Sequence, residues 1–185
     1  SDVCSSDLGD RDGNPNITPE ITKQAIVLQM GHAIRVTLEA LDELRQALSV
    51  STKLAGTSQA LLDSVARDLA NIPEFEPRFK RINVEEPYRL KATAIRHRLL
   101  LTRDRHASGA PHVPGRDYAN TQELLDDLML MYNSLLANRG ELIAHGLLER
   151  TIRTIAAFGV THATMDVREH SGAHERTVEI GRAHV

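Results

Sequence analysis

The 185-residue chain contains no tryptophan, three phenylalanines and three tyrosines, so aromatic residues make up only 3% of it. A core with so few aromatic side chains must rely on Leu, Ile, Val and Ala, which favours packed helices over a β-sandwich. No apolar run approaches the length of a membrane-spanning helix, and no signal peptide is visible. The net charge of −3 does not require a nucleic-acid partner.

The chain has one cysteine, Cys4, in a terminal segment that we expect to be non-native. Residues 2–8 read DVCSSDL and residues 180–185 read IGRAHV. With suitable codons, the DNA encoding the first segment is the reverse complement of the DNA encoding the second, which is typical of a translated sequencing adapter. We therefore expect residues 1–8 and 179–185 to be adapter-derived and 9–178 to be an internal fragment, which removes disulfides and thiolate metal sites from consideration.

Helical spacing of apolar residues predicts five helices. The first begins behind Thr18-Pro19-Glu20, a pattern typical of an N-cap, a first-position proline and a first-turn acid, and it runs to about Leu48. The others are predicted around 61–69, over about 87–106, from Asn120 to about 137, and over 146–159. Asn120 and Glu123 are predicted to form a capping box at the start of the fourth helix. The predicted buried residues of the five helices include Ile26, Met30, Ala33, Leu41, Leu44, Leu48, Leu61, Leu62, Val65, Leu69, Tyr88, Ala92, Ile95, Leu99, Leu124, Leu128, Met131, Leu135, Leu148, Ile152 and Ile155.

Residues 160–167, VTHATMDV, contain β-branched residues without a helical stripe and are predicted to form one short buried strand. A single strand is not a sheet, so its partners are expected outside this fragment. The predicted fold class is therefore mainly α, with about one strand.

Arg168 directly follows this predicted strand. Ligands of open α/β sheets and β/α barrels bind at the carboxyl ends of strands, and a guanidinium suits phosphate or carboxylate. The alternative is local pairing of Arg168 with Asp166 or Glu169.

Two other groups of residues favour structural readings. His162, His170 and His174 include an i, i+4 pair that could bind a metal, but without a third ligand of known geometry we favour ordinary packed or solvated histidines. Arg89, Lys91, Arg96, Arg98, Arg103 and Arg105 form a basic helix face without interleaved aromatic residues, which predicts a solvated face rather than a nucleic-acid site. Arg89 differs because it lies at a helix start, where the helix dipole disfavours a cation and a partner anion is usual; the simpler alternative is plain surface placement.

The loop GDRDGNPNITPE, residues 9–20, lacks the phosphate-binding P-loop pattern. Asp10, Arg11 and Asp12 are predicted to be an internally paired charge cluster that fixes the loop and could orient a nearby site.

Three stretches, in this order, resemble the phosphoenolpyruvate carboxylase family. GDRDGNPNIT resembles its G-D-R-D-G-N-P signature, EPYR (residues 86–89) matches its motif at a helix start, and FGVTHATMDVREHSGAH (158–174) is similar to its F-G-x-x-L-x-x-L-D-I-R-Q-x-S-x-x-H stretch. In the third stretch His162 and Met165 replace leucines and Glu169 replaces glutamine. The family's T-A-H-P-T-E motif and its downstream metal-binding and loop motifs do not occur in the chain.

The resemblance implies a cytoplasmic, homotetrameric, allosteric lyase built around a β/α (TIM-type) barrel with many extra helices. Such an enzyme uses Mg²⁺ to join bicarbonate to phosphoenolpyruvate, giving oxaloacetate and phosphate. It also implies that Arg168 binds the substrate phosphate, that Asp10, Arg11, Asp12 and Asp166 are structural residues near the active site, and that Arg89 is a candidate activator site. Catalytic residues and Mg²⁺ ligands are expected outside this fragment, which should be inactive alone. The alternative is a non-enzymatic helical module whose basic helix docks an acidic partner.

Overall fold

A computed structural model describes residues 18–48, 56–74 and 86–159. The chain separates into two compact units, one comprising Ser1–Gln29 and Ala163–Val185 and the other Met30–His162. Of the first unit, only residues 18–29 are described. The predicted strand at 160–167 and the predicted charge cluster of the opening loop lie outside the described residues.

Six α-helices and one π-helical turn form the described part of the chain, which contains no strand. The α-helices are α1 (Pro19–Ala47), α2 (Gln59–Asn71), α3 (Pro87–Ser108), α4 (Thr121–Ala137), α5 (Glu141–Ile143) and α6 (Glu149–Phe158), and the π-helical turn (Ala144–Leu148) lies between α5 and α6. The prediction of a mainly helical fragment is therefore confirmed. Within the described ranges, no helix has the length and apolar character needed to cross a membrane.

Side-chain oxygens cap the starts of three helices, and two of these caps, at Thr18 and Asn120, were predicted. Thr18 Oγ1 accepts a hydrogen bond from the Ile21 amide at 3.3 Å, and Ser58 caps α2 in the same way. At α4, Asn120 Oδ1 accepts from the Glu123 amide at 3.0 Å, and the Glu123 carboxylate accepts from the Ala119 amide. These bonds satisfy amide groups that have no partner within the helix.

The main core lies within the second unit and is built by the predicted apolar stripes. Its fully buried residues include Ile34, Leu41, Leu44, Leu48, Leu61, Tyr88, Ala92, Ile95, Leu99, Leu124, Leu128, Met131, Leu135 and Leu148. A smaller cluster of Val65, Ile72, Leu90 and Ala94 packs between α2 and α3. Two predicted core residues are wrong, because Ile26 is 39% exposed and Leu62 is 40% exposed.

The end of α4 is predicted correctly, since Asn138 caps it and Arg139 adopts a left-handed φ of 63°. The fifth predicted helix, 146–159, is confirmed by α6 (Glu149–Phe158), which ends at Gly159 as predicted. The short α5 and the π-helical turn before α6 are not predicted. Gly146 interrupts the π-helical turn with ψ of −114°, which produces a kink, and Gly159 has φ of 63°.

Candidate functional site

The motif EPYR forms the start of α3. Glu86 is the N-cap residue and Pro87 occupies the first turn, where its missing N–H costs no helical hydrogen bond. Tyr88 is 1% exposed. Its hydroxyl lies 2.8 Å from Ser134 Oγ on α4 and donates to the Gly56 carbonyl oxygen at 3.1 Å. Tyr88 thus fixes the first turn of α3 against α4 and the chain entering α2.

Arg89 follows this anchored tyrosine and remains one-third exposed. Its NH1 donates to Glu86 Oε2 at 3.2 Å. The carboxylate offsets the unfavourable interaction of a cation with the positive end of the helix dipole. The partner anion expected for Arg89 is therefore present one turn away, within the same motif.

The prediction of a solvated basic face on α3 is wrong for Lys91. Its side chain is completely buried, and Nζ donates to Ser64 Oγ at 2.8 Å, to Asp68 Oδ2 at 2.7 Å and to Asp127 Oδ1 at 2.6 Å. All three donors of the ammonium group are satisfied, and its charge faces two carboxylates. A buried lysine is tolerated only under these conditions.

Arg98 is also buried and joins the same acids. Its NH1 donates to Asp127 Oδ2 at 2.7 Å, and its NH2 donates to the Asp117 carbonyl oxygen at 3.3 Å. The guanidinium carbon lies 3.9 Å from the centre of the Tyr118 ring, a cation–π contact. The Tyr118 hydroxyl donates to Asp127 Oδ2 at 2.8 Å. The Asp127 carboxylate therefore accepts hydrogen bonds from Lys91, Arg98 and Tyr118.

Arg105 connects the last turn of α3 to the loop before α4. Its Nε lies 3.0 Å from Asp117 Oδ2, and its NH2 donates to the Tyr118 carbonyl oxygen at 2.9 Å. Asp117 is buried, accepts from the Val113 amide at 3.0 Å and lies 2.5 Å from His112 Nδ1. The loop is thus held to α3 by the buried Asp117 carboxylate and by backbone carbonyl oxygens of the loop.

We call Lys91, Arg98, Arg105, Asp68, Asp117 and Asp127 the buried ion network. Three positive and three negative side chains balance its formal charge. Burial is the largest effect on Asp68 and raises the pKa of its carboxyl group, against the lowering effect of Lys91. Burial and Asp127 together hold the pKa of Tyr118 well above its usual range. With its donors turned inward, the network joins α2, α3 and α4 and offers no open site for a ligand.

The sequence contains a signal that could predict the buried ion network. Lys91, Ile95, Arg98 and Thr102 share one helical stripe, and Asp68 continues the stripe of Leu61 and Val65. Charged residues of opposite sign on otherwise apolar stripes indicate buried pairing. The composition of α3 alone suggested a polar face instead.

Most predicted site residues lie outside the described part of the chain. These are Asp10, Arg11, Asp12, Asp166 and Arg168, together with the histidines His162, His170 and His174. Within the described ranges, no group of three or more His, Cys, Asp or Glu residues is placed to hold a metal ion.

Comparison with known proteins identifies the family. Residues 5–183 match the family model described as Phosphoenolpyruvate carboxylase. A protein of that name from Roseiflexus castenholzii is 40% identical over 172 residues, covering 90% of this chain. Relatives of the same name from Rhodopseudomonas palustris (strain BisA53) and Bradyrhizobium diazoefficiens are 38% and 32% identical, each over 92% of this chain. The chain spans about 18% of the length of these relatives. It belongs to the phosphoenolpyruvate carboxylase family.

Proposed function

We propose that the longer protein to which this chain corresponds carboxylates phosphoenolpyruvate with bicarbonate, releasing oxaloacetate and phosphate. The observation that carries this proposal is the 40% identity to a phosphoenolpyruvate carboxylase over 90% of the chain. The further proposals are a β/α barrel, Mg²⁺ as the divalent metal, a homotetrameric assembly and a cytoplasmic location. The chain spans 18% of that relative, so we expect the fragment alone to be inactive.

The pairing of the basic residues of α3 argues against the alternative of an interaction module. The three exposed or half-exposed arginines contact acids, Arg89 with Glu86, Arg96 with Asp42 and Arg103 with Asp104. The three remaining cations belong to the buried ion network. Since each of the six basic side chains already contacts a carboxylate, α3 has little unpaired positive charge for an acidic partner.

We further propose roles for individual residues. Arg168 would bind the phosphate of the substrate, because a guanidinium can donate two parallel hydrogen bonds to phosphate oxygens and stabilise charge there. Asp10, Arg11, Asp12 and Asp166 would be structural residues near the active site. Arg89 would contribute to an activator site, which is supported by its exposure and by the anchoring of its helix turn through Tyr88.

We place the ligands of the Mg²⁺ outside this chain, because the family's metal-binding motifs do not occur in its sequence.

A chimera tests the assignment. Residues 9–178 would replace the corresponding segment of the Roseiflexus castenholzii relative, and oxaloacetate formation would be measured. We expect the chimera to be active. We expect Arg168→Lys to raise KM for phosphoenolpyruvate by about tenfold or more, because one charged hydrogen bond is worth about 1.5–3 kcal/mol. A folded, tetrameric chimera without activity would contradict the proposal, and unchanged kinetics in Arg168→Lys would contradict the role of Arg168.

Binding to an acidic polymer tests the alternative. We expect the 185-residue chain not to bind poly-glutamate at low ionic strength. Binding that is lost in Arg96→Gln and Arg103→Gln would favour the interaction module instead.

The terminal segments carry a separate proposal, that residues 1–8 and 179–185 are adapter-derived. When genomic DNA is sequenced without interruption through both junctions, we expect it to encode different residues at these positions. Recovery of the same residues in genomic DNA would refute it.

A further inference from the structure

The π-helical turn Ala144–Leu148 combines a kink with a titratable side chain. Gly146 interrupts the helix with ψ of −114°, and apart from its chain neighbours and the local helix backbone no atom lies within 4 Å of the position that a Cβ would take there. His145 lies directly before this glycine, so a change in its contacts acts at the kink.

His145 lies between two helices and contacts both through one nitrogen atom. Its Nδ1 is 3.1 Å from the Tyr132 hydroxyl oxygen on α4 and 3.2 Å from Glu149 Oε2 on α6. The two rings meet edge to face, with centres 5.8 Å apart. The His145 side chain is 57% exposed, so protons reach it from solvent.

The two contacts require opposite states of the same nitrogen. Nδ1 accepts the Tyr132 hydroxyl proton only when it carries a lone pair, which then faces the lone pairs of the Glu149 carboxylate. When Nδ1 is protonated, it donates to Glu149 and no longer accepts from Tyr132. The imidazolium form carries protons on both nitrogens, so it permits only the second arrangement. The neutral form permits the first arrangement only when its proton is on Nε2.

The surrounding charges favour a response to protonation. Arg153 on α6 binds the other oxygen of Glu149, which holds that carboxylate in place, and the hydrogen bond from His145 lowers the pKa of Glu149. Glu141 on α5 lies four residues before His145 and is exposed. From α4, the titratable group facing His145 is Tyr132.

We propose that His145 is a proton-operated latch between α4 and the π-helical turn. In the neutral tautomer with its proton on Nε2, His145 accepts from Tyr132 through Nδ1 and ties the turn to α4. On protonation it turns to Glu149, ties the turn to α6 and releases the Tyr132 hydroxyl.

Tyrosine NMR tests the latch on the 185-residue chain. The ¹³Cζ signal of Tyr132 reports the hydrogen bond of its hydroxyl and would be followed across about pH 5 to 8, the range of histidine titration. We expect it to shift along a single-proton curve. Tyr88 and Tyr118, which bond to Ser134 and Asp127, serve as internal references and should stay constant.

Variants separate the latch from other titrations. We expect His145→Gln to abolish the Tyr132 shift and the control His106→Gln to leave it unchanged. Glu149→Gln keeps a hydrogen-bond acceptor but removes the charge, and it should reduce the size of the shift. A Tyr132 signal that stays constant in the unsubstituted chain, or that shifts equally in His145→Gln or Glu149→Gln, would overturn the proposal.

Discussion

Lys91 Nζ lies 2.6 Å from Asp127 Oδ1, and the lysine side chain is completely buried. The contact joins α3 to α4, while the second carboxylate of Lys91, Asp68, joins α3 to α2. An ion pair of this kind contributes little net stability when compared with apolar residues of similar size. Replacement of only one member of the pair is costly, because the opposite charge then stays buried without its partner. The buried ion network therefore specifies how the three helices fit together.

Single and double replacements in the network should have effects of unequal size. We expect Lys91→Met to lower the free energy of unfolding by about 3–5 kcal/mol, since Asp68 and Asp127 lose their common cation. The double variant Lys91→Met/Asp68→Leu removes one charge of each sign and leaves Asp127 with Arg98. It should therefore be more stable than Lys91→Met alone. Urea unfolding measures both, and a double variant at least as destabilised as Lys91→Met would contradict this account.

The local structure could be predicted from sequence where a single segment contains the whole signal. The caps at Thr18 and Asn120 and the buried stripe of α4 are examples, because helix capping and helical periodicity depend on neighbours along the chain. The burial of Lys91 depends instead on Asp68 and Asp127, which lie 23 and 36 residues away in the sequence. Burial of a charged side chain is decided by tertiary partners, so local pattern alone led to the wrong prediction.

The candidate site likewise combines features that the local sequence predicts with features that depend on the folded chain. The EPYR motif identified Arg89 from four letters, but the anchoring of Tyr88 by Ser134 and Gly56 required the folded chain. The π-helical turn had no local signal beyond Gly146, which was interpreted as the start of a regular helix. Arg168 remains a prediction, since it lies outside the described residues.

The Tyr88 hydroxyl is expected to make a modest but specific contribution to stability. Tyr88→Phe removes the bonds to Ser134 and Gly56 and should lower the free energy of unfolding by about 1 kcal/mol, the usual net value of a buried hydrogen bond. Ser134 Oγ also accepts from the Ser58 amide at 3.0 Å, so Ser134→Ala should cost more than Tyr88→Phe. A double-mutant cycle between Tyr88 and Ser134 with no coupling would show that their contact is energetically irrelevant.

Two glycines offer a matched pair of alanine substitutions with opposite expected signs. Gly31 lies inside α1 with no atom within 4 Å of a new methyl group, so Gly31→Ala should stabilise the chain by about 0.5–1 kcal/mol. Gly115 has φ of 77°, and an added Cβ would lie 2.4 Å from Asn71 Nδ2. Gly115→Ala should therefore be destabilising by about 1 kcal/mol or more. Thermal unfolding distinguishes the two, and equal effects at both positions would refute the described backbone at Gly115.

His106 should make stability depend on pH in a predictable direction. Burial and the neighbouring Arg105 lower the pKa of His106 in the folded state, whereas an unfolded histidine has a pKa of about 6.5. As the pH falls below that value, the unfolded chain binds a proton that the folded chain does not, so stability decreases until the pH passes below the folded pKa. In His106→Gln this part of the decrease should disappear. Urea midpoints measured in steps from pH 7.5 to 5 would give the difference between the two curves, and parallel curves would mean that folding does not lower the pKa of His106.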